Sequence, residues 1–150
     1  MNQEEKIDDY LNKPYWVIDL LPEQVPANSR GQYFKIEQYF LQASQMDILC
    51  RKFAHILMKL NCYDDMEVVH PIDGTTLNPS PEKIMEWFVE STQEKQFLYF
   101  LFEEWQAMIT FSGDDLYLTV YHPSPKMLQL LHALSASKGL FLWQPPQETK

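Results

Sequence analysis

Glycine is scarce in this sequence, with four in 150 residues. A phosphate-cradling loop needs several glycines within a short span, and neither GxxxxGK[ST] nor GxGxxG occurs. Nucleotide-binding loops are therefore excluded. Positive charge is also sparse: 12 Lys and Arg face 21 Asp and Glu, a formal net charge of −9. Neutralising phosphates requires clustered Lys and Arg. No such cluster exists, so nucleic acid is not an expected partner. The two cysteines, Cys50 and Cys62, are not spaced as a CxxC pair, and no second pair completes a zinc site. Both lie in or beside a helical apolar pattern, so both are read as buried free thiols of a reducing compartment. No apolar run reaches the length of a membrane span, and the start MNQEEKIDDY has neither a basic nor an apolar region of a secretory signal. A cytoplasmic location is expected, with no membrane partner. GxSxG, HExxH, HxxxH and EF-hand patterns are missing as well. No catalytic residue, no metal ligand and no cofactor is assigned.

What is present fits one α+β domain over residues 1–150. A chain this long buries roughly 70% of the surface exposed when unfolded. It needs no metal or disulfide to hold together. Residues 1–13 read as a helical or frayed lead-in. Tyr15 to Leu21, between Pro14 and Pro22, is a short apolar run typical of a buried strand. Pro22 to Gly31 reads as an irregular loop. Gln32 to Val69 has neither Gly nor Pro, and its apolar residues predict two helices, or one bent helix, ending near Asn61. Met66 to His70 is a strand stopped by Pro71. Residues 71–80 read as a loop with an Asp73-Gly74 turn.

Ser80-Pro81 opens the next helix, because serine caps the free N–H groups and proline suits the first helical position. Ile84, Trp87, Phe88 and Ser91 form its inner face. Gln96 to Phe102, Ala107 to Phe111 and Leu116 to Tyr121 predict a meander. In the last of these, Tyr117, Thr119 and Tyr121 share one face. Ser124-Pro125 opens a final helix, with Leu128, Leu131 and Leu134 inward and Gly139 closing it. Leu140 to Trp143 is the last strand. The predicted order is β-α-α-β-α-β-β-β-α-β, a mostly antiparallel sheet of five to six strands with helices packed on it. The strand–Ser-Pro–helix–strand pattern occurs at both residues 66–102 and 116–143. A duplicated strand–helix–strand unit would give a ferredoxin-like layout, although Ser-Pro is a common helix start in its own right.

The candidate chemistry is thin. His70 and His122 each end a strand before a proline. Were those strands neighbours, the two rings and Asp73, Asp114 or Asp115 would frame a pocket, and the alternative reading of function is a small ligand- or metal-binding protein or enzyme built on it. Asp114-Asp115 also suits a plain turn. Cys50 precedes Arg51-Lys52, which would activate an exposed thiol but not a buried one. What remains is an excess of aromatics, 14% of the chain, beside a strong negative charge. Interfaces favour Trp and Tyr at their centres. The expected function is therefore non-enzymatic protein binding. Trp105, Tyr117, Tyr121, Asp114, Asp115 and His122 are the expected binding residues. A homo-oligomer through Trp143 or the Tyr117/Tyr121 face is a further expectation.

Two stretches carry a resemblance: Lys13 to Pro22, and Leu116 to Pro123 continuing to Gly139 to Trp143. They resemble small cytoplasmic proteins of Gram-positive gut-type bacteria. The C-terminal pattern is similar to that of small acidic immunity-type proteins, which neutralise a toxin by binding it. The resemblance covers about a third of the chain. Its motifs are a strand, a cap, a helix and a strand, and it carries over no functional residue. It implies a binding role of immunity or regulatory type.

Overall fold

A computed structural model describes residues 2–29 and 31–147. Among these are five helices and seven strands. They are α1 (Gln3–Leu11), β1 (Tyr15–Asp19), α2 (Gln32–Phe40), α3 (Ala43–Leu60), β2 (Met66–His70) and β3 (Gly74–Leu77). Then follow α4 (Pro81–Glu94), β4 (Phe97–Phe102), β5 (Ala107–Ser112), β6 (Leu118–Tyr121), α5 (Pro125–Ala136) and β7 (Phe141–Trp143). The fold is α+β. One sheet holds all seven strands in the order β3-β2-β4-β5-β6-β1-β7, and every neighbouring pair is antiparallel.

The sheet has more strands than expected because β3 falls inside the predicted 71–80 loop. Its sequence, Gly-Thr-Thr-Leu, buries no residue, so no apolar pattern marks it. It is an edge strand, short and polar, as exposed edges usually are.

Three helices cover one face of the sheet. In α3, Met46, Leu49, Cys50, Phe53, Ala54, Ile56, Leu57 and Leu60 are buried, a stripe with successive gaps of one to three residues. This stripe packs between α4 and α5. The core closes on Phe53, Phe88, Phe100 and Phe111, with ring centroids 5.0–6.4 Å apart. Each such ring contributes about 1.5–3 kcal/mol by leaving water. Ile84, Trp87, Phe88 and Ser91 form the buried face of α4, as the sequence predicts. The face of α5 is rotated: Met127, Leu131 and Ser135 are buried, Leu134 is half-buried against the core, and Leu128 lies at its margin.

Both Ser-Pro helix starts are N-caps. Ser80 Oγ accepts from Lys83 N at 3.2 Å, and Ser124 Oγ from Met127 N at 3.1 Å. The two helices also do the same topological job. Strands β3 and β4 each run antiparallel to β2, and are therefore parallel to one another. Helix α4 crosses between them. Strands β6 and β7 stand in the same relation to β1, and α5 crosses between them. Each half thus contains a split β-α-β unit of the ferredoxin-like kind.

The other face of the sheet is only partly covered. Helix α1 lies over its β3-β2-β4-β5 side. There Gln3 Nε2 donates to Glu67 Oε2 at 3.3 Å, and Thr75 Oγ1 donates to Gln3 Oε1 at 2.8 Å. All six residues of β5 are buried, as expected of a strand covered on both faces. Over β6, β1 and β7 no helix among the described residues covers the second face.

Candidate functional site

Strand periodicity dictates what this open area displays. Successive side chains alternate between faces, and directly paired residues share one. Tyr15 pairs with Tyr121, Val17 with both Thr119 and Trp143, and Asp19 with Phe141. The face of β1 opposite the buried Ile18 therefore carries Tyr15, Val17 and Asp19. Beside it β6 and the residue before it carry Tyr117, Thr119 and Tyr121, and β7 carries Trp143. The Pro22-to-Gly31 loop then folds over the end of β1. It contributes Glu23, Gln24 and Val25, Leu21 just before it adds to them, and α2 adds Tyr33. Together these residues enclose an open cavity of about 480 Å³.

The walls are aromatic and the charge is negative. Tyr15 and Tyr121 form a tilted pair with centroids 5.8 Å apart. Asp19 and Glu23 line the cavity, and no described Lys, Arg or His does. Burial raises the Asp19 carboxyl above its ordinary value, against two backbone N–H groups, of Leu20 and Leu21, that lower it. Burial also raises Asp115, followed by the Asp114 charge, while the neighbouring Tyr117 hydroxyl lowers it. The Tyr117 phenol is pushed up to about 12 by burial and then by the Asp115 charge. Burial followed by the carboxylates of Glu37, Asp19 and Asp115 raises Tyr33. Tyr121 is raised by burial too. The Nε1 donor of Trp143 is buried and has no partner among the described residues.

The expected binding residues separate into two groups. Tyr117 and Tyr121 line the cavity, and Asp115 lies outside the lining, where its charge acts on Tyr117. Asp114 turns away, exposed, to pair with Lys95 at 3.5 Å. Trp105 packs tilted against Phe102, ring centroids 5.4 Å apart, while its backbone N–H donates to Asp64 Oδ2, so it closes the β4–β5 turn over the core. His122 is exposed at φ 58°, with Nδ1 2.9 Å from Gln106 O. None of the three lines this cavity. Asp19, Glu23 and Thr119 were missed. A signal for Asp19 exists: in Tyr-Trp-Val-Ile-Asp, alternation alone puts it with Tyr15 and Val17.

The condition for a joint histidine pocket fails. β4 and β5 separate β2 from β6, three strand spacings or roughly 14 Å. His70 is buried under α4 instead, its ring stacked 5.6 Å from Trp87. Its Nδ1 accepts from Ile72 N and Asp73 N at 3.1 and 3.0 Å, which puts the ring proton on Nε2. That atom faces Glu90 Oε1 at 3.3 Å, out of line for a full hydrogen bond. Trp87 Nε1 donates to Asp73 Oδ2 at 2.9 Å. The cluster latches the β2–β3 turn onto α4. Among the described residues, no group of three His, Cys, Asp or Glu is placed to hold a metal, and no helix is long and apolar enough to cross a membrane.

The expectation of two buried thiols holds for one. Cys50 is buried, donating to Phe88 O at 3.6 Å, and burial pushes its thiol up to about 12. Cys62 is exposed just past the end of α3, where the helical apolar pattern no longer applies. No known protein family, no curated protein and no solved structure matches this chain.

Proposed function

We propose that this protein is a non-enzymatic binding module of the immunity or regulatory type, acting in the cytoplasm, which seats a segment of another protein in the Tyr- and Trp-walled groove over β6, β1 and β7. The observation carrying this reading is the composition of that groove: four tyrosines, one tryptophan and two carboxylates in a single cavity. Such rings supply large contact area at low entropic cost, and they concentrate at the centres of interfaces. The surrounding charge of −9 adds steering toward a basic partner. The cavity's volume of about 480 Å³ also favours a second reading, a small-molecule pocket.

Site-specific photocrosslinking separates the two. A benzophenone side chain replaces Tyr117 in one bait and Lys126, exposed on α5, in another. In extracts of the native cell, the position-117 bait is expected to give one discrete protein adduct that the position-126 bait does not. Adducts equal at both positions, or absent from both, refute protein binding at the groove.

A further inference from the structure

We infer that the groove recognises a cationic side chain, an arginine or lysine carried by a basic segment of the partner. This rests on the reading of the groove as a protein-binding site and names what that site selects.

Ring faces come first. The negative face of an aromatic ring attracts an ammonium or guanidinium within about 6 Å of its centroid, more strongly where water is excluded. Tyr15 and Tyr121 stand side by side on adjacent strands, with Tyr33, Tyr117 and Trp143 around them. A hydrophobic ligand would be served equally well by Phe and Leu. The walls instead combine electron-rich rings with carboxylates.

Charge comes second. Asp19 and Glu23 line the cavity, with no Lys, Arg or His among the described lining residues. Asp115 stands behind Tyr117, and the charge of Glu37 reaches Tyr33. Asp19, Asp115, Tyr33, Tyr117 and Tyr121 all shift in one direction, toward holding their protons. Burial is the largest cause at each, and after it the carboxylates of Glu37, Asp19 and Asp115 raise Tyr33 while those of Asp115 and Asp19 raise Tyr117, a negative field that a positive charge would relieve. Asp19 is half-buried and pairs with no described cation, so an entering guanidinium would offset part of its desolvation.

The occupant is a peptide and not a bare ion. Metal ligation needs converging carboxylate or imidazole ligands, and no described cluster provides them. The cavity is open and far larger than an ion.

The test begins from a random heptapeptide library displayed on phage and panned against the intact chain. Binding at the groove is read from the Trp143 indole N–H resonance, assigned by its loss in Trp143→Phe. The selected peptides are expected to share an Arg or Lys and to shift that resonance. Replacing the shared residue by neutral citrulline or norleucine should weaken binding about tenfold or more. Asp19→Asn should weaken the parent peptide by a similar factor while leaving its citrulline or norleucine analogue unaffected. Exchanging Arg and Lys in the peptide shows whether the planar fork or the charge alone is read, and either result supports the inference. Peptides that shift Trp143 without a basic residue, or that tolerate the neutral replacement, overturn the cation inference and leave the protein-binding reading standing. A selection that yields no peptide shifting Trp143 overturns both.

Discussion

Gly113 offers the sharpest test of how the sheet meets its helices. It follows β5, where the turn backs onto the last turn of α4. A Cβ built there falls 1.8 Å from Ser91 O, 2.6 Å from Ser91 C and 3.1 Å from Thr92 Cα. Carbon contacts settle near 3.5–4.0 Å, so the two backbones would have to part by about 1.5–2 Å. No side-chain rotation relieves this, because the obstacle is main chain. The same junction is tied by Gly113 N donating to Gln96 O at 2.9 Å and Gln96 N donating to Ser91 O at 3.1 Å. Forcing it open costs about 1–3 kcal/mol of overpacking. Each of the two hydrogen bonds disturbed adds about 1 kcal/mol. Gly113→Ala is therefore expected to lose about 3–5 kcal/mol, a large share of a domain's 5–15. At about 2–4 °C per kcal/mol, Tm falls by roughly 6–20 °C. Gly139 is the matched control. Its φ is +71° and nothing lies within 4 Å of its added Cβ, so Gly139→Ala costs only backbone strain of about 1–2 kcal/mol. Urea unfolding at 25 °C measures both. A Gly113→Ala variant no less stable than Gly139→Ala would refute the close-approach reasoning.

Thiol chemistry should be one-sided: native protein is expected to release one equivalent rapidly with Ellman's reagent, from Cys62, and a second only in denaturant, from Cys50, with Cys62→Ser abolishing the fast phase. The two helix caps should be worth similar amounts, so Ser80→Ala and Ser124→Ala are each expected to cost about 1 kcal/mol in urea unfolding. For the groove, Asp19 and Asp115 have folded pKa values raised above their unfolded ones, so the native state binds more protons and stability falls as pH rises from the unfolded pKa through the folded one. Asp19→Asn/Asp115→Asn is thus expected to raise Tm at pH 7 and to leave it nearly unchanged at pH 3, where wild-type carboxyls are already neutral; a Tm gain equal at both pH values would show that charge is not its source.

What local pattern writes into a sequence was readable here, and what strand order writes was not. The caps at Ser80 and Ser124, the α4 face and the β4–β5–β6 meander all depend on neighbours a few residues apart. Alternation alone put Tyr117, Thr119 and Tyr121 on one face. The groove, however, exists because β1 and β7 join β6 from opposite ends of the chain, pairing Tyr15 with Tyr121 and Val17 with Trp143. Nothing within any of those three segments encodes that meeting. The same gap let His70 and His122 look like possible partners until β4 and β5 were found between them. β3 escaped for a different reason: an exposed edge strand without a buried side chain leaves no apolar trace.

The two faces of this sheet obey opposite rules, and the difference is an argument about function. Under α3, α4 and α5, the strands present Ile18, Leu98, Phe100, Ile109, Phe111, Leu118 and Val120, all fully buried and all without polar atoms in their side chains. Over β6, β1 and β7, equivalent pleat positions hold Tyr15, Asp19, Tyr117, Thr119, Tyr121 and Trp143. A sheet that needed only to be stable would cover this area with a helix, as α1 covers the rest, or line it with residues content in water. The groove does neither. It keeps four tyrosine rings half-buried and holds a carboxyl, Asp19, whose ionisation burial opposes. The half-buried carboxylate costs the isolated chain stability, and rings and carboxylate together are contacts that a complementary ligand would complete.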